Sequence, residues 1–92
     1  MRPVIWSAKA EQDFLSILEY IGERNPFAAE KMEYSIRSST WTLQKHPYLY
    51  RRSDRVPGCR EIVAHRNYIV VYRVEEDCIR VVRVLHTSRI HF

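Results

Sequence analysis

Four residues in the C-terminal half of this chain are of types that move protons and hold phosphates: Arg60, Arg83, His86 and Arg89. A histidine can carry a proton while arginines stabilise a pentacoordinate phosphorane, so the set predicts RNA cleavage if the fold brings it together. The competing reading is that Arg60, Arg73, Arg80 and Arg83 are strand residues paired with Glu61, Glu75 and Glu76, because ion pairs on sheet surfaces are common and cheap. Other chemistries lack their parts. His46, His65, His86 and His91 are scattered, with no Cys or Glu at offsets that would complete a metal site, so none is expected. Only two glycines are present, which leaves no material for a phosphate-cradling loop, and no cofactor is expected. Cys59 and Cys78 each open a predicted strand, where a cysteine usually acts as a small hydrophobe. Residue types alone leave an enzyme and a binding module both open.

The elements that must position these residues follow from periodicity. Val4, Ile5 and Trp6 form a short apolar run, and Pro3 favours placing it at a sheet edge. Ser7 sits where an N-cap belongs, and Ala10, Phe14, Ile17, Leu18 and Ile21 then recur at helical spacing, predicting a helix over 8–23. Asn25-Pro26 starts a second helix, with Ala29, Met32, Ile36 and Leu43 on its buried stripe, reaching to about Lys45 before Pro47. The short connection makes the two an antiparallel hairpin. Residues 46–58 read as a loop. Three runs rich in Val, Ile and Tyr follow, Cys59–Ala64, Tyr68–Glu75 and Cys78–Leu85, joined by turns short enough to force antiparallel pairing. The fold class is α+β, in the order β-α-α-β-β-β: a single domain over 1–92 with an antiparallel sheet and an N-terminal helical hairpin on one face. Turn lengths do not fix where the first strand joins.

Closing those turns predicts Val74 opposite Ile79, Tyr72 opposite Val81, Val70 opposite Arg83, Arg60 beside Tyr72 and Ile62 beside Val70. One face then carries Arg60, Ile62, Tyr68, Val70, Tyr72, Val74, Ile79, Val81, Arg83 and Leu85, the other Glu61, Val63, Ile69, Val71, Arg73, Arg80, Val82, Val84 and His86. Both faces are largely apolar. The helices cover one; a partner chain, or the loop and the C-terminal tail, must cover part of the other. The formal charge of +4 and pI near 9.3 favour an acidic protein partner or nucleic acid, or serve solubility alone. No apolar run approaches a membrane span, and the N-terminus has no signal-peptide pattern, so the cytoplasm is the expected compartment.

The element order, with the strings NPFAAEKM, LQKHPYLY, SDRVPGCREIVAHRNYIVVYRV and VVRVLHTSR, resembles the RelE/ParE toxins of bacterial type II toxin–antitoxin modules over essentially the whole chain. The Pro-Gly-x-Arg-Glu run, the Tyr-x-Val-Val-Tyr strand and the final His-x-x-Arg look like the ParE side. The resemblance implies a cognate antitoxin whose acidic, partly disordered C-terminal segment folds on the toxin. RelE-like members are ribosome-dependent mRNA endoribonucleases. They typically carry an Arg just after the first residue of the strand resembling Tyr68–Tyr72, and a Tyr several residues past the terminal Arg. Here Ile69 takes the first position and no tyrosine follows Arg89. ParE-like members lack these residues too and inhibit DNA gyrase by binding. The resemblance therefore implies a non-catalytic gyrase inhibitor; the alternative is an endoribonuclease using Arg60, Arg83, His86 and Arg89. A candidate target patch is Arg89, His91 and Phe92. The antitoxin is expected on the open sheet face, or in a groove lined by Leu15, Leu18 and Trp41. Neither a membrane nor sequence-specific nucleic acid contact is expected.

Overall fold

Pro3 cannot donate a ladder hydrogen bond, and the strand it precedes, β1 (Val4–Trp6), lies at a sheet edge in the computed structural model, which describes residues 1–88. Two helices follow, α1 (Ala8–Arg24) and α2 (Pro26–Trp41), then a 3-10 turn at Thr42–Gln44. Strands β2 (Arg60–His65), β3 (Tyr68–Val74) and β4 (Ile79–His86) complete a four-stranded sheet in the order β1-β4-β3-β2. The last three strands are antiparallel, as their short turns require, while β1 adds parallel to β4 with Val4 opposite Ile79.

Local chemistry sets the helix ends. The Ser7 hydroxyl accepts the Ala10 N–H at 3.0 Å and donates to the Val82 carbonyl at 3.2 Å, tying the start of α1 to β4. Asn25 serves both helices: its N–H caps Ile21 of α1, and its side-chain oxygen accepts the Ala28 N–H of α2 at 3.1 Å. Pro26 then sits where no helical N–H is needed.

The hairpin covers one face of the sheet. Phe14, Ile36 and Leu43 pack on Ile62, Val70, Tyr72 and Val81, all of them buried. Fully burying side chains of this size is worth roughly 1.5–3 kcal/mol each. The buried Tyr72 hydroxyl donates to the Pro47 carbonyl at 2.8 Å, which also fixes the start of the 46–58 loop.

The predicted register holds at Val74–Ile79, Tyr72–Val81, Arg60–Tyr72 and Ile62–Val70, and fails at Val70–Arg83. Val70 faces Val84 instead, because β4 holds one extra residue between Val81 and Arg83. The bulge turns Val84 toward the helices and Leu85 away from them, the reverse of their expected places. A second bulge, in β2 between Val63 and His65, shortens the following turn to Arg66-Asn67.

Candidate functional site

The residues that suggested phosphoryl chemistry are not gathered in one place. Arg60 lies opposite Tyr72, and His86 lies opposite Tyr68. These anchors are four residues apart on β3, and the two strands lie on either side of it, which separates the two backbone positions by about 16 Å. Arg60 donates to the Tyr50 carbonyl at 2.7 Å and lies over the Tyr48 ring. Arg83 pairs with none of the predicted glutamates. It makes a two-point ion pair with Asp13 of α1, at 2.7 and 3.2 Å, and Asp13 also accepts the Val84 N–H at 3.1 Å. That carboxylate caps the stretch of β4 edge that β1 is too short to reach, so Arg83 has a structural partner. Arg89, and with it His91 and Phe92 of the expected target patch, lies outside the described residues.

His86 packs edge-on against Tyr68, ring centroids 5.1 Å apart, in a cleft of about 320 Å³ that Ser16, Ile17 and Tyr20 of α1 complete. Its Nδ1 accepts the Ser88 N–H at 3.1 Å, so in the neutral ring the proton sits on Nε2. His65 repeats the arrangement with the Asn67 N–H. Glu75, Asp77 and Cys78 bring potential metal-ligating atoms within 4.8 Å of one another. Arg73 and Arg80 already hold one Glu75 oxygen at 2.7–3.1 Å, pulling its carboxyl down to about 2. With two guanidiniums already on Glu75, this trio is a poor trap for a cation.

On the sheet face away from the helices the loop supplies cover, one of the two alternatives expected there. Ile69, at the position where a ribonuclease arginine was sought, is 2% exposed and packs with Cys59 and Val71 beneath Val56, Val82 and Leu85. Beside this small core Glu61 is equally buried, and the loop folds over to satisfy it. Arg51 donates at 2.7 Å, Arg55 at 2.9 and 3.2 Å, and the Ser53 hydroxyl at 2.8 Å. Burial pushes the Glu61 pKa up, but the hydrogen bonds from Ser53, Arg51 and Arg55 outweigh it and hold the carboxyl below the usual value. Backbone bonds from Glu61 to Arg51 and from Ser53 to Cys59 stitch the loop along the outer edge of β2. Burial alone raises the Cys59 thiol pKa, with Arg73 opposing, so this cysteine is a poor nucleophile.

The family model described as "ParE toxin of type II toxin-antitoxin system, parDE" matches residues 4–91. The chain belongs to this family of toxins. A curated relative, Toxin RelE2 of Caulobacter vibrioides, is 29% identical over 90 residues, covering 98% of this chain and all of that protein. The chain superposes on a chain of the chromosomal ParDE toxin–antitoxin system from P. aeruginosa with a TM-score of 0.83 at 25% identity, covering 94% and 96% of the two chains. YafQ from E. coli shares the fold at a TM-score of 0.68 and 10% identity, each chain covered fully.

Of the surfaces expected to meet an antitoxin, this ParE-family toxin leaves the helical hairpin the more open. Leu15 is 58% exposed and Trp41 57%, while Leu18 is partly buried against the core. Trp41 does not stand alone, since Tyr34 meets it edge-on at 6.1 Å. Phe27, Tyr34 and Trp41 are spaced by seven, which places them on one face of α2, and all three are exposed. Phe27 and Tyr34 were missed as surface candidates, although that spacing was visible in the sequence. On the sheet the 46–58 loop takes up much of the face offered to a partner, leaving Val63 as its most exposed apolar residue.

Proposed function

We propose that this type II toxin inhibits DNA gyrase by stoichiometric binding, without catalysis, and is neutralised by a cognate antitoxin. The observation that carries the non-catalytic reading is the burial of Ile69. A phosphate cannot reach that position without displacing the 46–58 loop, and the residue has no charge to offer. Losing one charge-stabilising group typically costs about 10²–10³ in rate. The separation of Arg60 from His86 and the engagement of Arg83 by Asp13 point the same way. An antitoxin partner is supported by family membership and by neighbours solved with theirs, among them the E. coli DinJ-YafQ toxin–antitoxin complex. The hairpin surface at Leu15, Leu18 and Trp41 is the proposed contact, and Arg89, His91 and Phe92 are the proposed target-binding residues. The compartment is the cytoplasm; among the described residues no helix is long and apolar enough to cross a membrane.

The test is DNA supercoiling by purified gyrase across a toxin titration. Inhibition is expected at roughly stoichiometric toxin, weakening with added salt, and lost when residues 89–92 are deleted without unfolding the domain. Unaffected supercoiling at large excess, in cells that still stop growing, would rule out gyrase as the target. The endoribonuclease alternative draws on His86, whose Nε2–H sits in an open cleft. Codon-specific cleavage of mRNA on purified ribosomes, abolished by His86→Ala, would establish it instead.

A further inference from the structure

Charge is divided unevenly along this chain. Residues 8–41, the helical hairpin, hold four Lys and Arg against six Asp and Glu, whereas residues 42–92 hold ten against five. An acidic stretch of the partner is therefore drawn to the loop and sheet, while the exposed apolar residues of the hairpin remain for an apolar stretch of it. Most arginines there are already neutralised: Arg51 and Arg55 by Glu61, Arg73 and Arg80 by Glu75, Arg83 by Asp13. Two differ. The Arg52 guanidinium has no hydrogen bond or ion pair among the described residues. Arg60 uses one nitrogen on the Tyr50 carbonyl and rests its plane over Tyr48, which fixes its direction and leaves its other donors unengaged.

These two arginines face each other. An antiparallel bridge sets Arg52 directly opposite Arg60, and both line a cleft of about 340 Å³ with Tyr48, Ser53 and Gly58. Like charges directly opposite on neighbouring strands are destabilising unless something negative lies between them. We propose that this cleft is a carboxylate subsite, which takes an Asp or Glu side chain from an acidic, extended segment of the antitoxin. The proposal rests on the antitoxin partner named above. Two guanidiniums lining one cleft suit the two oxygens of a carboxylate, which arginine binds as a fork. A nucleic acid strand draws its affinity from many phosphates in a row, and the neutralised arginines around the cleft offer no such track. Tyr48 of its lining is exposed, as is Leu49 next to it in the chain, which fits a peptide with an apolar residue beside the acid.

The probe is a fluorescent twelve-residue peptide of alternating Glu and Leu, titrated by anisotropy against the full chain, with a twelve-nucleotide oligo-dT as its counterpart. Arg52→Glu is compared with Arg66→Glu, an equal change of charge at another exposed arginine whose side chain has no partner among the described residues. Arg52→Glu is expected to weaken peptide binding about tenfold or more, and Arg66→Glu about twofold at most. The same ratio is expected for the cognate antitoxin. Equal losses in both variants would mean attraction to net charge alone; this, or no saturable peptide binding, overturns the subsite. Tighter binding of the oligonucleotide with the same dependence on Arg52 overturns the peptide assignment. Gyrase is absent from the assay. Peptide binding without inhibition of supercoiling would leave the subsite standing and remove only the target, and the reverse would remove only the subsite.

Discussion

On the sheet face that meets the helices, Val70, Tyr72 and Val81 are fully buried beneath Phe14 and Ile36, whereas on the opposite face Ile69 and Val71 lie under a thin cover that Glu61 holds in place. The same strands supply apolar residues to both sides, yet the two closures have different physics. The helix side is sealed by apolar area, which is non-directional and tolerates small adjustments. The loop side hangs on one buried carboxylate, whose desolvation is offset only while Arg51, Arg55 and Ser53 all stay in place. One side should therefore fail globally and without regard to pH, the other locally and with acid.

Three experiments test that contrast. The largest effect is expected from Phe14→Ala, which opens a cavity at the centre of the helix-side core and should cost roughly 3–5 kcal/mol in denaturant unfolding. The melt should stay a single transition; a separate transition for the helices would break the picture of one shared core. Next is Glu61→Ala. Removing the carboxylate strands its donors and empties a buried volume, for about 2–4 kcal/mol. Hydrogen exchange should then quicken across residues 51–59 while α1 keeps its protection. Equal loss in both regions would show that the two faces are one cooperative unit.

The smallest effect is that of pH. Glu61 binds its proton more weakly in the folded protein than the 4.5 of an ordinary glutamate, and so does Glu75, at about 2. Their contribution to stability is complete above pH 4.5 and is lost as pH falls through the folded values. The melting temperature should accordingly drop on acidification below about pH 4.5. Glu61→Gln should flatten part of that slope, and an unchanged slope would remove Glu61 from the account.

The helices were legible in the sequence because their signals are local. Ser7, Asn25 and Pro26 cap and start them within a few residues of where periodicity begins, and the 3.6-residue pattern from Ala10 to Ile21 needs no distant partner. The three C-terminal strands were legible for the same reason, through their short turns. What stayed hidden depends on pairing across long stretches. No turn joins β1 to its neighbour, so its parallel seat beside β4 had no local mark. The bulge at Val82 was concealed because Val84 and Leu85 are both apolar and either can face inward. The charge of Arg83 was the clue, since the regular register would have aimed it at the helices' core. By its strand position Glu61 resembles one member of a surface pair, since loop length says nothing of whether Arg51 and Arg55 fold back over it. Of the catalytic set, Arg83 and His86 are neighbours in sequence but answer to different elements, Asp13 on α1 and Tyr68 on β3.

The parallel seat of β1 governs when this protein can exist in its finished form. Ser7 at the end of β1 bonds to Val82, 75 residues further on, and Val4 waits for Ile79. A growing chain can form the hairpin early from local contacts, but the sheet has no closing strand until β4 emerges. At typical synthesis rates the stretch between Trp41, where α2 ends, and His86, where β4 ends, takes roughly 2–9 s to add. The completed surface thus appears only once β4 has emerged, and a message cut short before β4 yields helices without the sheet that aligns them.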